Sequence, residues 1–155
     1  MPRHTRVLLI GVLSCLLAAC SSPLSNREIL ALGRAKARWA ARSFQAYTYE
    51  FVVSCGECPS IVQQWARVAV SNGHVVGVAL VANDSALSPQ YWTAFTTVDG
   101  LFARIERYQH DDWVRDVIVE FDPQFGYPTR ISTFAKPGIQ DADADQLTRN
   151  LVPTP

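Results

Sequence analysis

Cys55-Gly56-Glu57-Cys58-Pro59 is the stretch with the sharpest chemical potential. A CxxC pair exchanges disulfides readily when its first sulfur sits at a helix N-terminus, where the dipole favours the thiolate. Here the pair ends a strand-like alternation, Pro59 follows it, and no parallel βαβ pattern surrounds it. A structural disulfide between Cys55 and Cys58 is the leading reading, and an exchange-active redox pair is the alternative. A loop this short contributes only about 2 kcal/mol. A metal site would need further ligands, and His74 and His110 stand at no recognisable spacing. Asp141, Asp143 and Asp145 match the first ligands of a calcium loop, but Gln146 stands where glycine is required and Val152 where the bidentate glutamate belongs. His110-Asp111-Asp112 could pair an acid with a base, yet nothing near it in sequence offers a nucleophile or an oxyanion site. No catalytic residue, no metal and no cofactor is expected. Trp39, Trp65, Trp92 and Trp113 could stack on sugars, although alternating or helical positions assign most of them to a core. Tyr91-Trp92, beside a polar loop, is the pair least explained by packing and forms a candidate contact site.

Cys20 decides location rather than reaction. Arg3 and Arg6 precede the apolar run Val7 to Ala19, which is shorter than the roughly 20 residues a spanning helix needs. Leu17-Ala18-Ala19-Cys20 resembles a lipobox, with small side chains before a cysteine that becomes the acylated N-terminus. Two or more acyl chains hold stably to a bilayer where one binds only marginally. Residues 1–19 are therefore read as a removed lipoprotein signal peptide and residues 20–25 as a tether. The protein is placed in the bacterial cell envelope, with the membrane as partner through its N-terminal lipid. In a cell with two membranes, Ser21 favours the outer one, facing the periplasm, by its likeness to known sorting patterns. Cys15 leaves with the leader, so Cys55 and Cys58 are the only thiols left to the fold, in an oxidising compartment.

Charge excludes one class of partner. The chain has 14 basic and 14 acidic residues, and removing Arg3 and Arg6 leaves two more acids than bases. That balance gives no electrostatic case for a polyanionic partner, either nucleic acid or an anionic membrane surface.

The elements that must position these residues follow from periodicity. Ser25-Asn26-Arg27-Glu28 matches a capping box and opens a helix to about Arg42, with Ile29, Leu32, Ala35, Trp39 and Ser43 near one face. Tyr47 to Cys55 alternates as a strand, with Tyr47, Tyr49, Phe51, Val53 and Cys55 on one side. Gln64 to Ser71 and His74 to Val81 are strands joined by Asn72-Gly73, both residues tolerant of positive φ. Asn83 to Tyr91 reads as a polar loop. Thr97 caps a second helix whose apolar face is Val98, Leu101, Phe102, Ile105 and Tyr108. Asp116 to Phe121 and Thr129 to Phe134 are further strands, and Gln146 to Val152 a final one. Short connections imply antiparallel neighbours. The expected fold is one α+β domain over residues 26–152, an antiparallel sheet of five to six strands with two helices packed on one face. Its core should include Trp39, Tyr49, Phe51, Val68, Val70, Val78, Leu101, Ile105, Val117, Val119 and Ile131.

Four groups of residues then carry a resemblance: Tyr47-Thr48-Tyr49 with the close cysteine pair, Asn72-Gly73, Thr97-Val98-Asp99-Gly100-Leu101-Phe102, and Phe121-Asp122-Pro123 with Gly126-Tyr127-Pro128-Thr129. In this order they resemble a family of small bacterial lipoproteins catalogued as a domain of unknown function, over roughly Ala46 to Asp145. The family's cysteines are often separated by one residue; here Gly56 and Glu57 intervene. The resemblance implies a location and a fold type, and no activity. The functional expectation is a non-catalytic binding or assembly module of the envelope, its other partner or ligand unidentified, with a thiol–disulfide redox protein as the alternative.

Overall fold

The structure, a computed structural model, describes residues 22–154; Cys20 and the leader lie outside the described residues. Helix α1 (Asn26–Ala40) starts at a complete capping box, in which the Ser25 hydroxyl accepts from Glu28 N–H and the Glu28 carboxylate accepts from Ser25 N–H. Strands β1 (Tyr47–Cys55), β2 (Ala66–Ser71) and β3 (His74–Leu80) follow. Asn72 and Gly73 hold φ of 49° and 77°, the left-handed geometry that a tight hairpin between twisted strands requires. Helix α2 (Val98–Tyr108), capped by the Thr97 hydroxyl on Gly100 N–H, leads into β4 (Val114–Phe121), β5 (Pro128–Ala135) and β6 (Ala144–Pro153). The chain is thus two successive units, each a helix followed by three antiparallel strands.

All six strands form one antiparallel sheet in the order β3-β2-β1-β6-β5-β4. The last strand lies in the middle, where it joins the two units through β1. One face of the sheet carries Tyr47, Tyr49 and Phe51 with Val68, Val78, Ile131, Val117 and Val119, and α1 and α2 pack there, chiefly on β4 and β5. The whole expected core is buried. Among the described residues no helix is long and apolar enough to cross a membrane.

Three details depart from the sequence reading. Pro89–Ala94 is a short 3-10 helix rather than loop, and with Leu87 and Phe95 it roofs the β1–β3 side that the two long helices leave bare. Pro23 and Leu24, assigned to the tether, belong to the folded body: the Pro23 carbonyl accepts from Val117 N–H at 3.1 Å, and Leu24 is 2 % exposed. Ile29 is 40 % exposed, because α1 rests on the edge strand β4 and the start of its apolar stripe overhangs that edge.

Candidate functional site

Cys55 and Cys58 are joined by a disulfide at the end of β1, their Cα atoms 5.4 Å apart. Alternation directs Cys55 to the helix-covered face, but the residue is only half-buried. The loop beyond it folds back onto β1, with Val53 N–H donating to the Val62 carbonyl at 3.0 Å and the Gln63 amide donating to the Cys58 carbonyl at 2.8 Å. Next to the disulfide is a cavity of about 400 Å³ lined by Ser54, Cys55, Ser132, Asp143 and Asp145 among others. Asp141 lies so close to Gly56 that a Cβ added there would stand 3.0 Å from the Asp141 Cβ. A thiolate leaving this bond would form in a loop that Asp141 packs against and away from any helix N-terminus, so it lacks the setting that activates a cysteine.

The aspartates once matched to a calcium loop are held by protein groups. Asp143 accepts from Ala135 N–H at 2.8 Å, and Asp145 accepts from Arg130 at 3.1 Å and from the Ser132 hydroxyl. Among the described residues no three His, Cys, Asp or Glu side chains gather as metal ligands. His110 and Asp112 are exposed, and Asp111 faces Arg107 at 3.9 Å. Tyr91 and Trp92 part company: Tyr91 is 44 % exposed, whereas Trp92 packs on the core and donates its indole N–H to the Leu87 carbonyl at 2.9 Å.

The sheet face opposite the helices is uncovered and carries a built polar cluster that sequence reasoning missed. Glu50, its side chain 12 % exposed, accepts from Arg149 at 2.8 Å and from the Asn150 amide at 3.1 Å. The Arg149 guanidinium lies 3.8 Å from the Trp65 ring centroid. Glu50 is also paired in register with Arg67. The signal was the glutamate inside an alternating strand, but its partner sits in β6, a hundred residues on, and only the sheet order brings them together. A second missed cluster lies under α2, where Gln146 of β6 accepts from Arg104 and donates to Tyr108 Oη at 3.1 Å. Burial pulls Arg104 below its ordinary value.

Apart from the cysteine pair, the motifs behind the family resemblance lie elsewhere, at the Tyr47 end. Tyr47 Oη accepts from Val98 N–H at 3.0 Å, and Tyr49 Oη donates to the Thr96 carbonyl, so the two phenols grip the backbone on both sides of Thr97. Desolvation pushes Tyr47 up to about 12 and Tyr49 higher still. Trp39 donates its indole N–H to Asp99 at 3.1 Å and meets Tyr47 edge-on at 5.2 Å. Asp122 accepts from Gln124 and Phe125 N–H, and Gly126, with φ of 82°, sits where any Cβ would collide with the Ala35 carbonyl. These motifs fasten both helices to the sheet.

A model of a family of unknown function (DUF6174) matches residues 31–153, and the chain belongs to that family. No curated protein and no solved structure matches it.

Proposed function

We propose that this member of the family is a lipid-anchored envelope protein whose domain works as a non-catalytic binding or assembly module. The observation that carries the module reading is the Trp65–Arg149–Glu50 cluster on the uncovered sheet face. An arginine fixed between an indole and a carboxylate is pre-ordered, so a partner meets it at little further entropic cost, and Trp and Arg are the residues that dominate protein contacts. The exposed Tyr91 ring belongs to the proposed contact chemistry; the Trp92 indole is occupied within the fold. The leader and the lipobox support the anchor, with the outer membrane facing the periplasm as its place in a two-membrane cell.

Capture from detergent-solubilised membranes, run in parallel with the native protein and with Arg149→Glu, tests the module. A partner retained by the first and lost by the second is expected; the same set from both would remove this face from the reading. The anchor is tested by Cys20→Ser, expected to leave the membrane fraction or remain an unprocessed precursor. The second reading, thiol–disulfide exchange at Cys55–Cys58, is favoured by the half-exposed disulfide and opposed by the lack of a helix N-terminus at either sulfur.

A further inference from the structure

We infer that the Cys55 end of the sheet lies against the membrane leaflet, with lipid headgroups as its partner, so that the strands stand away from the bilayer. The inference rests on the acylation of Cys20. Ser22 follows Cys20 by two residues, a reach of at most about 7 Å. Immediately afterwards the chain is fixed, by the Pro23 carbonyl on Val117 N–H and by the burial of Leu24. Val117 lies in register with Thr133, Thr133 with Ala144, and Ala144 with Cys55. The chain therefore leaves the fold at the level of the disulfide, about 26 Å along β1 from the Tyr47 level. A domain held this closely cannot turn its other end to the lipid without pulling Leu24 out of the core.

The side chains around that exit fit a headgroup layer. Ser22 and Pro23 border a cleft of about 510 Å³ shared with Arg115 and Ile118, and Pro23 borders a second with His110 and Lys136. Ile29, Leu30, Ile118 and Ile139 are four of the seven large apolar side chains exposed among the described residues. Ile29 and Leu30 lie on the opening turns of α1, whose cap Ser25 lines the first cleft, and Ile139 belongs to the turn that begins at Lys136. Apolar side chains interleaved with cations suit the boundary between phosphates and acyl chains. Asp111, Asp112, Asp116 and Glu28 stand there too, and the disulfide loop adds Glu57 and the acidic turn from Asp141 to Asp145, so charge does not draw the surface down; the acyl chains attach it and the apolar side chains set its tilt. The Asn72-Gly73 hairpin then points away from the membrane, and the Trp65–Arg149 face is presented sideways.

The test uses the full acylated protein in phosphatidylethanolamine–phosphatidylglycerol vesicles doped with a headgroup nitroxide lipid. Leu30→Cys, Lys136→Cys and His74→Cys, all at exposed positions, each supply one free thiol for a fluorophore. Flotation is scored first: protein that fails to float defeats anchor and orientation together. In floating protein, labels at 30 and 136 should lose most of their fluorescence while the label at 74 keeps its own. Equal quenching at all three, or strongest quenching at 74, would overturn the orientation and leave the anchor standing.

Discussion

The two ends of the sheet are built by different means. At the Tyr47 end, Trp39, Phe44, Tyr47 and Phe125 form a chain of edge-to-face contacts, two phenols of β1 hold the start of α2, and the Trp39 indole on Asp99 ties α1 to α2. At the Cys55 end, a disulfide, an acidic turn and a polar cavity stand in place of packed rings. Of the motifs behind the resemblance, all but the cysteine pair lie at the first end, where they fix how the helices dock. Chemistry that distinguishes one protein from another has more room at the second end and on the open face.

The largest test of this contrast sets one tryptophan against another. Trp39 is 2 % exposed at the packed end, and Trp113, at the opposite end, is half-buried against Tyr108. Trp39→Ala should cost about 3–5 kcal/mol, the range for emptying a fully packed aromatic site. Trp113→Ala should cost less than about 2 kcal/mol, since its surroundings are already partly wet. Urea midpoints measure both, and equal losses would erase the distinction between the ends.

A smaller effect should come from the phenol grip. Tyr49→Phe leaves the Thr96 carbonyl without its donor, for a loss of about 1–3 kcal/mol. The grip also makes a prediction in pH. Burial keeps both phenols protonated in the folded protein, against the Val98 N–H bond that favours the Tyr47 phenolate, whereas in the unfolded chain they ionise at about 10. Between pH 10 and the folded Tyr47 value of about 12, the unfolded state has released protons that the native state keeps, so stability falls as pH rises. It is complete below pH 10. In Tyr47→Phe the alkaline decline of the urea midpoint should be shallower than in the native protein; an unchanged slope would mean that the phenol is not the group responsible.

Local pattern made much of the fold legible. Strict alternation from Tyr47 to Cys55 set which side chains of β1 face the core, and the capping residues Ser25 and Thr97 set where both helices begin. The 3-10 helix was hidden because it is short and its signal, Pro89 after Ser88, also opens loops. The central place of β6 was hidden for a different reason: its buried positions include Gln146 and Thr148, polar residues that suit a core only because Arg104 and Tyr108 reach Gln146 from α2. The Glu50–Arg149 pair and the meeting of Asp145 with Arg130 depend on the same sheet order, which no local pattern encodes.

The smallest expected effect belongs to the disulfide, and it bears most directly on function. Reduction, or Cys55→Ser with Cys58→Ser, should cost at most about 2 kcal/mol, since so short a loop removes little entropy from the unfolded chain. Half-exposure leaves the bond within reach of an incoming thiol, so access does not protect it. Chemistry does: no helix N-terminus stands at either sulfur to favour a leaving thiolate, and Asp141, in the acidic turn, packs on Gly56, whereas Asp143 and Asp145 project to the opposite face of the sheet, held by Ala135 N–H and Arg130. Glutathione enters with its own carboxylates and is repelled by the same turn. The bond should therefore exchange slowly and titrate at a potential on the order of −300 mV or below, as structural disulfides do. A glutathione titration of the mature domain, read by alkylation and mass, measures it. Asp141→Asn should quicken exchange if the carboxylate beside Gly56 is part of the barrier. A native potential near about −200 mV with rapid exchange would put the redox reading ahead of the binding module and make the Cys55 end, rather than the open face, the working part of the molecule.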